Sequence, residues 1–246
     1  MRQLSDDLRE RRSKRYNEWA RKYPAYISLA IPFVLGVMMG LCECLEAKAW
    51  GNAIICILSA STISGALFFL FRFSIRDISK IFPGKIIFSD RLKPTTRILY
   101  SNDSSYTDER KKEIRSKIKA KKQIDLGKYK VKTYRNKEYV KRVDEAVSWL
   151  LDVTRFDDIL FEFNCIFGFW RNLTGAMLID ALLLFGLAAV NQWLYVLPLG
   201  SALIWIAIGL LLFSVVTAVL AYQNGYIFAK KMYDAFMNLG DDKDNY

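Results

Sequence analysis

Three stretches of this chain are almost free of charge. Ala25 to Cys42 and Ala49 to Phe71 carry no Asp, Glu, Lys or Arg, and Asn172 to Ala229 carries only Asp180. A helix needs ~20 mostly apolar residues to cross ~30 Å of hydrocarbon. The third stretch is long enough for two crossings. Its break falls at Asn191-Gln192-Trp193 through Pro198, where Trp and Tyr suit a membrane interface. The pattern predicts an all-α integral membrane protein with four transmembrane helices, at roughly 25–45, 51–73, 173–193 and 198–222. Composition alone hides this: 52% hydrophobic and 25% charged residues are ordinary averages, but the two kinds are segregated along the chain.

Lysine and arginine set the orientation. Residues 1–24 hold eight basic and four acidic side chains. Residues 72–171 hold 24 basic and 14 acidic ones, a net of +10. The short loop after span one holds Glu43, Glu46 and Lys48, and Lys230 and Lys231 follow span four. The basic clusters all fall on one side, which predicts a multi-pass membrane protein with both termini cytoplasmic. Ala47-Lys48-Ala49 imitates a signal-peptide cleavage site. The basic leader and the apolar run are both too long for that reading. The expected organisation is a basic N-terminal helix (1–24), spans one and two (25–73), a basic cytoplasmic domain (74–171), spans three and four (172–229) and a tail (230–246).

The cytoplasmic parts read as helical. In the N-terminal segment, Ser5 suits an N-cap with Asp6 and Asp7 in the first turn, and Leu8, Trp19 and Tyr23 suit the membrane surface. Pro83-Gly84 ends the helix that continues span two, and Lys85 to Phe88 reads as extended. Thr107 caps a helix that runs to about Lys122, with Ile114 and Ile118 as its apolar stripe. Gly127 breaks the chain. A further helix begins near Asn136, where Val140, Val143, Val147, Leu150 and Leu151 recur at helical spacing. The apolar core of this domain is thin, so packing on membrane helices or on other subunits is expected to complete it.

Several reaction classes are excluded. The chain has no histidine, so it has no Ser-His-Asp triad and no His-ligated metal. It has no Gly-rich phosphate loop of the Walker or dinucleotide type. Cys42, Cys44, Cys56 and Cys165 lack Cys-x-x-Cys spacing. No catalytic residue, metal or cofactor is expected, and the chain does not read as an enzyme.

The conspicuous feature is residues 110–142, with fifteen basic and three acidic side chains interleaved with Tyr129, Tyr134 and Tyr139. Basic groups bind phosphates and rings stack bases, although lysine also gathers beside anionic leaflets. Lys111, Lys112, Arg115, Lys119, Lys122, Tyr134 and Arg135 are the candidate ligand residues. Arg97 joins them from the polar segment Pro94-Thr95-Thr96-Arg97, whose hydroxyls and Arg suit a phosphate or sugar contact but whose first reading is a plain turn. Within the spans, Asp180 is the lone acid. It is a candidate for lining a pore or for a structural hydrogen bond. Thr62 stands in the hydroxyl-rich face of span two, and Phe69 and Phe73 stand at its cytoplasmic end as candidate gate rings. Gly36-x-x-x-Gly40 and Ser61 with Gly65 mark close helix packing.

Four spans, both ends inside and a basic helical insert resemble the HalB-type channel effectors of Hailong anti-phage defence. The likeness is one of layout, together with Pro94-Thr95-Thr96-Arg97 and the segment Phe161 to Leu173. The KwaA component of Kiwa is a second resemblance, with a smaller insert. The HalB resemblance implies a homo-oligomeric ion channel of the bacterial inner membrane, expected to be a tetramer. Single-stranded oligodeoxyadenylate, made by a partner nucleotidyltransferase, would hold it closed, and its loss would collapse the membrane potential. The alternative expectation is a non-conducting membrane-anchored adaptor or sensor that recruits nucleic acid or an acidic protein.

Overall fold

The computed structural model describes residues 2–46, 54, 58, 62, 75, 77–79, 93–100, 103–127, 137–194 and 200–240. These are helical, with turns and no strand among the described residues. The elements are α1 (Arg2–Asn17), a π-helical turn (Glu18–Lys22), α2 (Tyr23–Glu46), α3 (Pro94–Arg97), α4 (Asp108–Lys122), α5 (Lys137–Val153), α6 (Asp158–Leu194) and α7 (Gly200–Asn238). Two helices, over Asp158–Gln192 and Ser201–Asn238, are long and apolar enough to cross a membrane. Span two and the segment Lys85 to Phe88 lie almost wholly outside the described residues.

The chain forms two compact units. An apolar unit combines residues 1–83 with 168–221, and a basic unit combines 84–167 with 222–246. Each of α6 and α7 contributes to both. At 1.5 Å per residue the 37 residues of α6 extend about 55 Å and the 39 of α7 about 58 Å, well beyond a ~30 Å hydrocarbon core.

Helix α1 begins by Arg2, so Ser5 lies inside it rather than capping it. The backbone then stays helical through the π turn into α2, and α1 prolongs α2 instead of forming a separate helix. The cause of the irregular turn is nearby. Pro24 has no amide hydrogen to give the carbonyl of Ala20, four residues back. Asn172 of α6 supplies one, its Nδ2 donating to the Ala20 oxygen. At the same level, a side chain on Gly168 would come within 2.8 Å of Ala20 Cβ and 2.9 Å of the Tyr16 hydroxyl. Eight residues further along both helices, Ser28 Oγ donates to Asp180 Oδ2 at 2.7 Å. Both side-chain bonds join residues 152 apart in sequence, so α2 and α6 run parallel in a fixed register.

Helices α6 and α7 pair the other way. Thr174 Oγ1 meets Thr217 Oγ1 at 3.1 Å, and Leu184 and Ala188 cluster with Leu203 and Ala207 nearer the connecting turn. Outward-facing Leu182, Leu187 and Val190 on α6, with Trp205, Leu212 and Val216 on α7, are exposed. Apolar faces of that extent suit lipid rather than water.

The basic unit has a core larger than its sequence segment implies. Ile98 to Tyr100, Ile114 and Ile118 of α4, and Val143, Ala146, Val147 and Leu150 of α5 pack with Leu160. The last three turns of α7 complete that core with Phe228, Ala229, Met232, Tyr233 and Phe236. Trp149 meets Phe236 edge-on at 5.5 Å, and Phe167 stacks on Phe228 at 6.3 Å. Residues 230–238, expected as a tail, are thus helix and core.

Candidate functional site

Helix α4 carries the densest positive charge, and its sequence fixes which cations face inward. Thr107 caps it, its hydroxyl accepting from Arg110 N at 3.3 Å, and Asp108 and Glu109 complement the helix N-terminus. Ile114 and Ile118 are wholly buried. Lys111 lies one turn before Ile114 and two before Ile118, so burying the isoleucines buries Lys111 with them. It is 1% exposed, and its Nζ donates to the carbonyls of Tyr100 (3.1 Å) and Asp103. Arg115, next on that face, donates through Nη2 to Leu99 O. Burial pushes the Lys111 ammonium below its ordinary pKa, only partly offset by Asp103 and Asp108. These two cations satisfy carbonyls left open where α3 gives way to a turn.

Two more lysines close the far end of α7. Lys117 Nζ donates to Met237 O at 3.0 Å and Leu239 O at 2.7 Å, and it lies 5.2 Å from the centre of the Phe236 ring. Lys121 reaches Gly240 O at 3.5 Å. A cation on the last carbonyls of a helix also complements its dipole. Arg110 pairs with Glu113 at 3.1 Å and Asp234 at 3.7 Å. Tyr106 donates to Asp234 at 3.0 Å, and burial with that bond raises its pKa.

What remains toward solvent is a smaller set. Lys112 and Lys119 share the outer stripe, seven residues apart, and Lys122 is exposed where the helix ends. Lys119 holds Asp125 at 2.6 Å, and that bond, with the Gly127 amide, keeps the Asp125 carboxyl below its usual range.

Residues 94–100 and 103–105 are a fastening rather than an open loop. Pro94, Thr95 and Thr96 are buried, and Tyr233 donates to Thr95 O at 2.5 Å. Arg97 faces Asp103 at 3.6 Å, and Asp103 also accepts from Tyr226 at 3.3 Å and from Ser105 N at 2.9 Å. Arg97 is therefore turned to an internal carboxylate.

In the apolar unit, Asp180 is 2% exposed and faces Ser28 of its own chain. Thr62 is exposed and its hydroxyl returns to Leu58 O at 2.9 Å. Phe69, Phe73, Tyr134 and Arg135 lie outside the described residues. No group of His, Cys, Asp or Glu able to hold a metal ion occurs among the described residues.

Lys117, Lys121, Asp234, Ser28 and Asn172 are not among the residues that the sequence singles out. The recurrence of Met232, Tyr233 and Phe236 at helical spacing is the available signal for the first three. Prolines 24 and 32 are the signal for the last two. Comparison with family models, with curated proteins and with solved structures gives no match to this chain.

Proposed function

We propose that this chain is a membrane effector: a homo-oligomeric ion channel of the bacterial inner membrane whose basic cytoplasmic unit binds single-stranded oligonucleotide. On the HalB resemblance that ligand is oligodeoxyadenylate from a partner nucleotidyltransferase, and its bound form keeps the pore closed. The observation that carries the reading is the division of cations on α4. Lys111, Arg115, Lys117 and Lys121 satisfy carbonyls, while Lys112 and Lys122 are presented outward, where phosphates can reach them, and Lys119 lies on the same face in an exposed pair with Asp125.

Helix direction supports four crossings. Helices α2 and α6 are parallel, so a chain that leaves α2 on one side of a bilayer must return before α6 begins. The apolar run Ala49 to Phe71 is the segment available for that return. Helix α7 is antiparallel to α6 and brings the chain back once more. The basic N-terminal helix, the basic unit and the Lys230-Lys231 pair then share a side, as the positive-inside rule requires.

The second reading is the non-conducting adaptor. One observation favours it: Asp180, the sole acid of the spans, is turned into its own subunit rather than outward. Ion flux from vesicles containing the purified full chain, with and without oligodeoxyadenylate, separates the two. Flux suppressed by the oligonucleotide supports the channel. Salt-sensitive oligonucleotide binding without flux in either condition supports the adaptor. Neither flux nor salt-sensitive binding would refute both.

A further inference from the structure

Two prolines stand eight residues apart in α2, and each removes an amide hydrogen from the helix. The carbonyl four residues before each, at Ala20 and at Ser28, loses its usual donor. At Ala20 the replacement is visible in Asn172 Nδ2. At Ser28 the residue in the equivalent place on α6 is Asp180, at the same sequence offset of 152. We infer that Asp180 carries a proton and donates it to the main-chain carbonyl of Ser28, making a neutral two-way lock between α2 and α6.

The chemistry of the surroundings requires such a donor. Asp180 Oδ2 accepts from Ser28 Oγ, while Oδ1 is buried with no partner. The neighbours packed around this part of α6 are Ala25 and Leu29 of α2, Ala176 and Met177 of α6 itself, Ile75, and Leu210 of α7. Asp180 is 2% exposed, and no ion pair to it occurs among the described residues. An ionised carboxylate would be a buried charge with no counterion among the described residues, on the residue whose main-chain carbonyl partner in the register, Ser28, lacks its usual donor. A single proton on Oδ1 turns one acceptor into a donor and satisfies the other. Asparagine performs this at Ala20 with an amide, and aspartic acid performs it at Ser28 with a hydroxyl. This assignment stands apart from the oligonucleotide reading, because it uses no residue of the basic unit.

The test combines spectroscopy with three substitutions, singly and in one pair, in the full chain in detergent. Infrared spectra at neutral pH should contain the carbonyl stretch of a protonated carboxylic acid, and Asp180→Asn should remove it. Asparagine keeps one donor and one acceptor, so Asp180→Asn should leave the thermal midpoint unshifted, whereas Asp180→Leu should lower it. Pro32→Ala returns an amide hydrogen to the Ser28 carbonyl, so the shift caused by Asp180→Leu should be smaller in that background. Absence of the protonated band in the wild type overturns the inference. So does an Asp180→Asn protein as destabilised as Asp180→Leu. If Asp180→Leu fails to fold, the band and the asparagine variant still decide.

Discussion

Replacing Lys111 by methionine tests whether the most basic helix is a ligand surface on all sides or only on one. Methionine keeps most of the length and apolar stem of the side chain and removes the ammonium. Two main-chain carbonyls, of Tyr100 and Asp103, then lose their donor inside the fold. A buried group left without its hydrogen bond costs ~1–3 kcal/mol, and relief of the ammonium's own burial offsets part of it. A net loss of about 1–4 kcal/mol follows, which is roughly 5- to 10³-fold faster exchange of amides that open with this region. Hydrogen exchange with mass spectrometry on the full chain in detergent reads it directly, in peptides covering Tyr100 to Lys122. Lys112→Met, on the exposed stripe, should change exchange by less than about 0.5 kcal/mol while weakening oligonucleotide binding. The pH dependence has a defined sign. Burial lowers the Lys111 pKa, so the unfolded chain holds this proton more tightly, and stability gained from its release grows as pH rises towards the ordinary 10.5. The wild type should therefore gain on Lys111→Met over that interval. If Lys111→Met exchanges like wild type and weakens oligonucleotide binding as much as Lys112→Met, the inward assignment of Lys111 is refuted.

Neutralising Lys112, Lys119 and Lys122 together should weaken binding of single-stranded oligonucleotide, and the salt slope should flatten by about 0.7 for each cation that pairs with a phosphate; equal binding by the triple variant would remove α4 from the interface. Lys117→Met should speed exchange in peptides covering 234–240 by an amount equivalent to about 1–2 kcal/mol, since two terminal carbonyls of α7 are deprived of a charged donor. Gly168→Val should lower the thermal midpoint through overpacking of about 1–3 kcal/mol, because its Cβ would meet Ala20 Cβ at 2.8 Å. Asp125 should titrate below the usual carboxylate range by NMR and move back towards it in Lys119→Gln; its small contribution is present above the unfolded pKa and lost as pH falls through the folded one.

How much of this was legible in the sequence depends on the kind of signal. Thr107 followed by Asp108 and Glu109 is a local statement about one helix end, and α4 begins there and ends at Lys122. The apolar spacing of Val143, Val147 and Leu150 likewise gives α5 its buried face. Charge density is different, because a count of lysines is blind to direction. The inward turn of Lys111 and Arg115 follows from the helical phase they share with Ile114 and Ile118, information present in the sequence but absent from a net charge. The capping role of Lys117 depends on a partner about 120 residues away, at the end of α7, and no local pattern specifies it.

The segment after Ala229 shows why a hydropathy boundary misplaces a domain boundary. Hydropathy falls at Lys230 and Lys231, and by that criterion the membrane helix stops and a tail begins. Helix propensity does not fall with it, and α7 continues to Asn238. Its buried positions, Phe228, Ala229, Met232, Tyr233 and Phe236, recur at three- and four-residue steps, while Lys230 and Lys231 are exposed. One helix therefore passes from an apolar, outward-facing stretch into the core of the basic unit without changing its geometry. The thin core expected for residues 74–171 is the other side of the same fact. Ile114 and Ile118 offer α4 only a narrow stripe, too little to bury alone, and the last turns of α7 supply the apolar partners it lacks. A basic unit completed by the end of a membrane-length helix cannot repack around α4 without disturbing that helix. For the proposed effector, this is the physical route by which phosphates at Lys112 and Lys119 would be felt along α7.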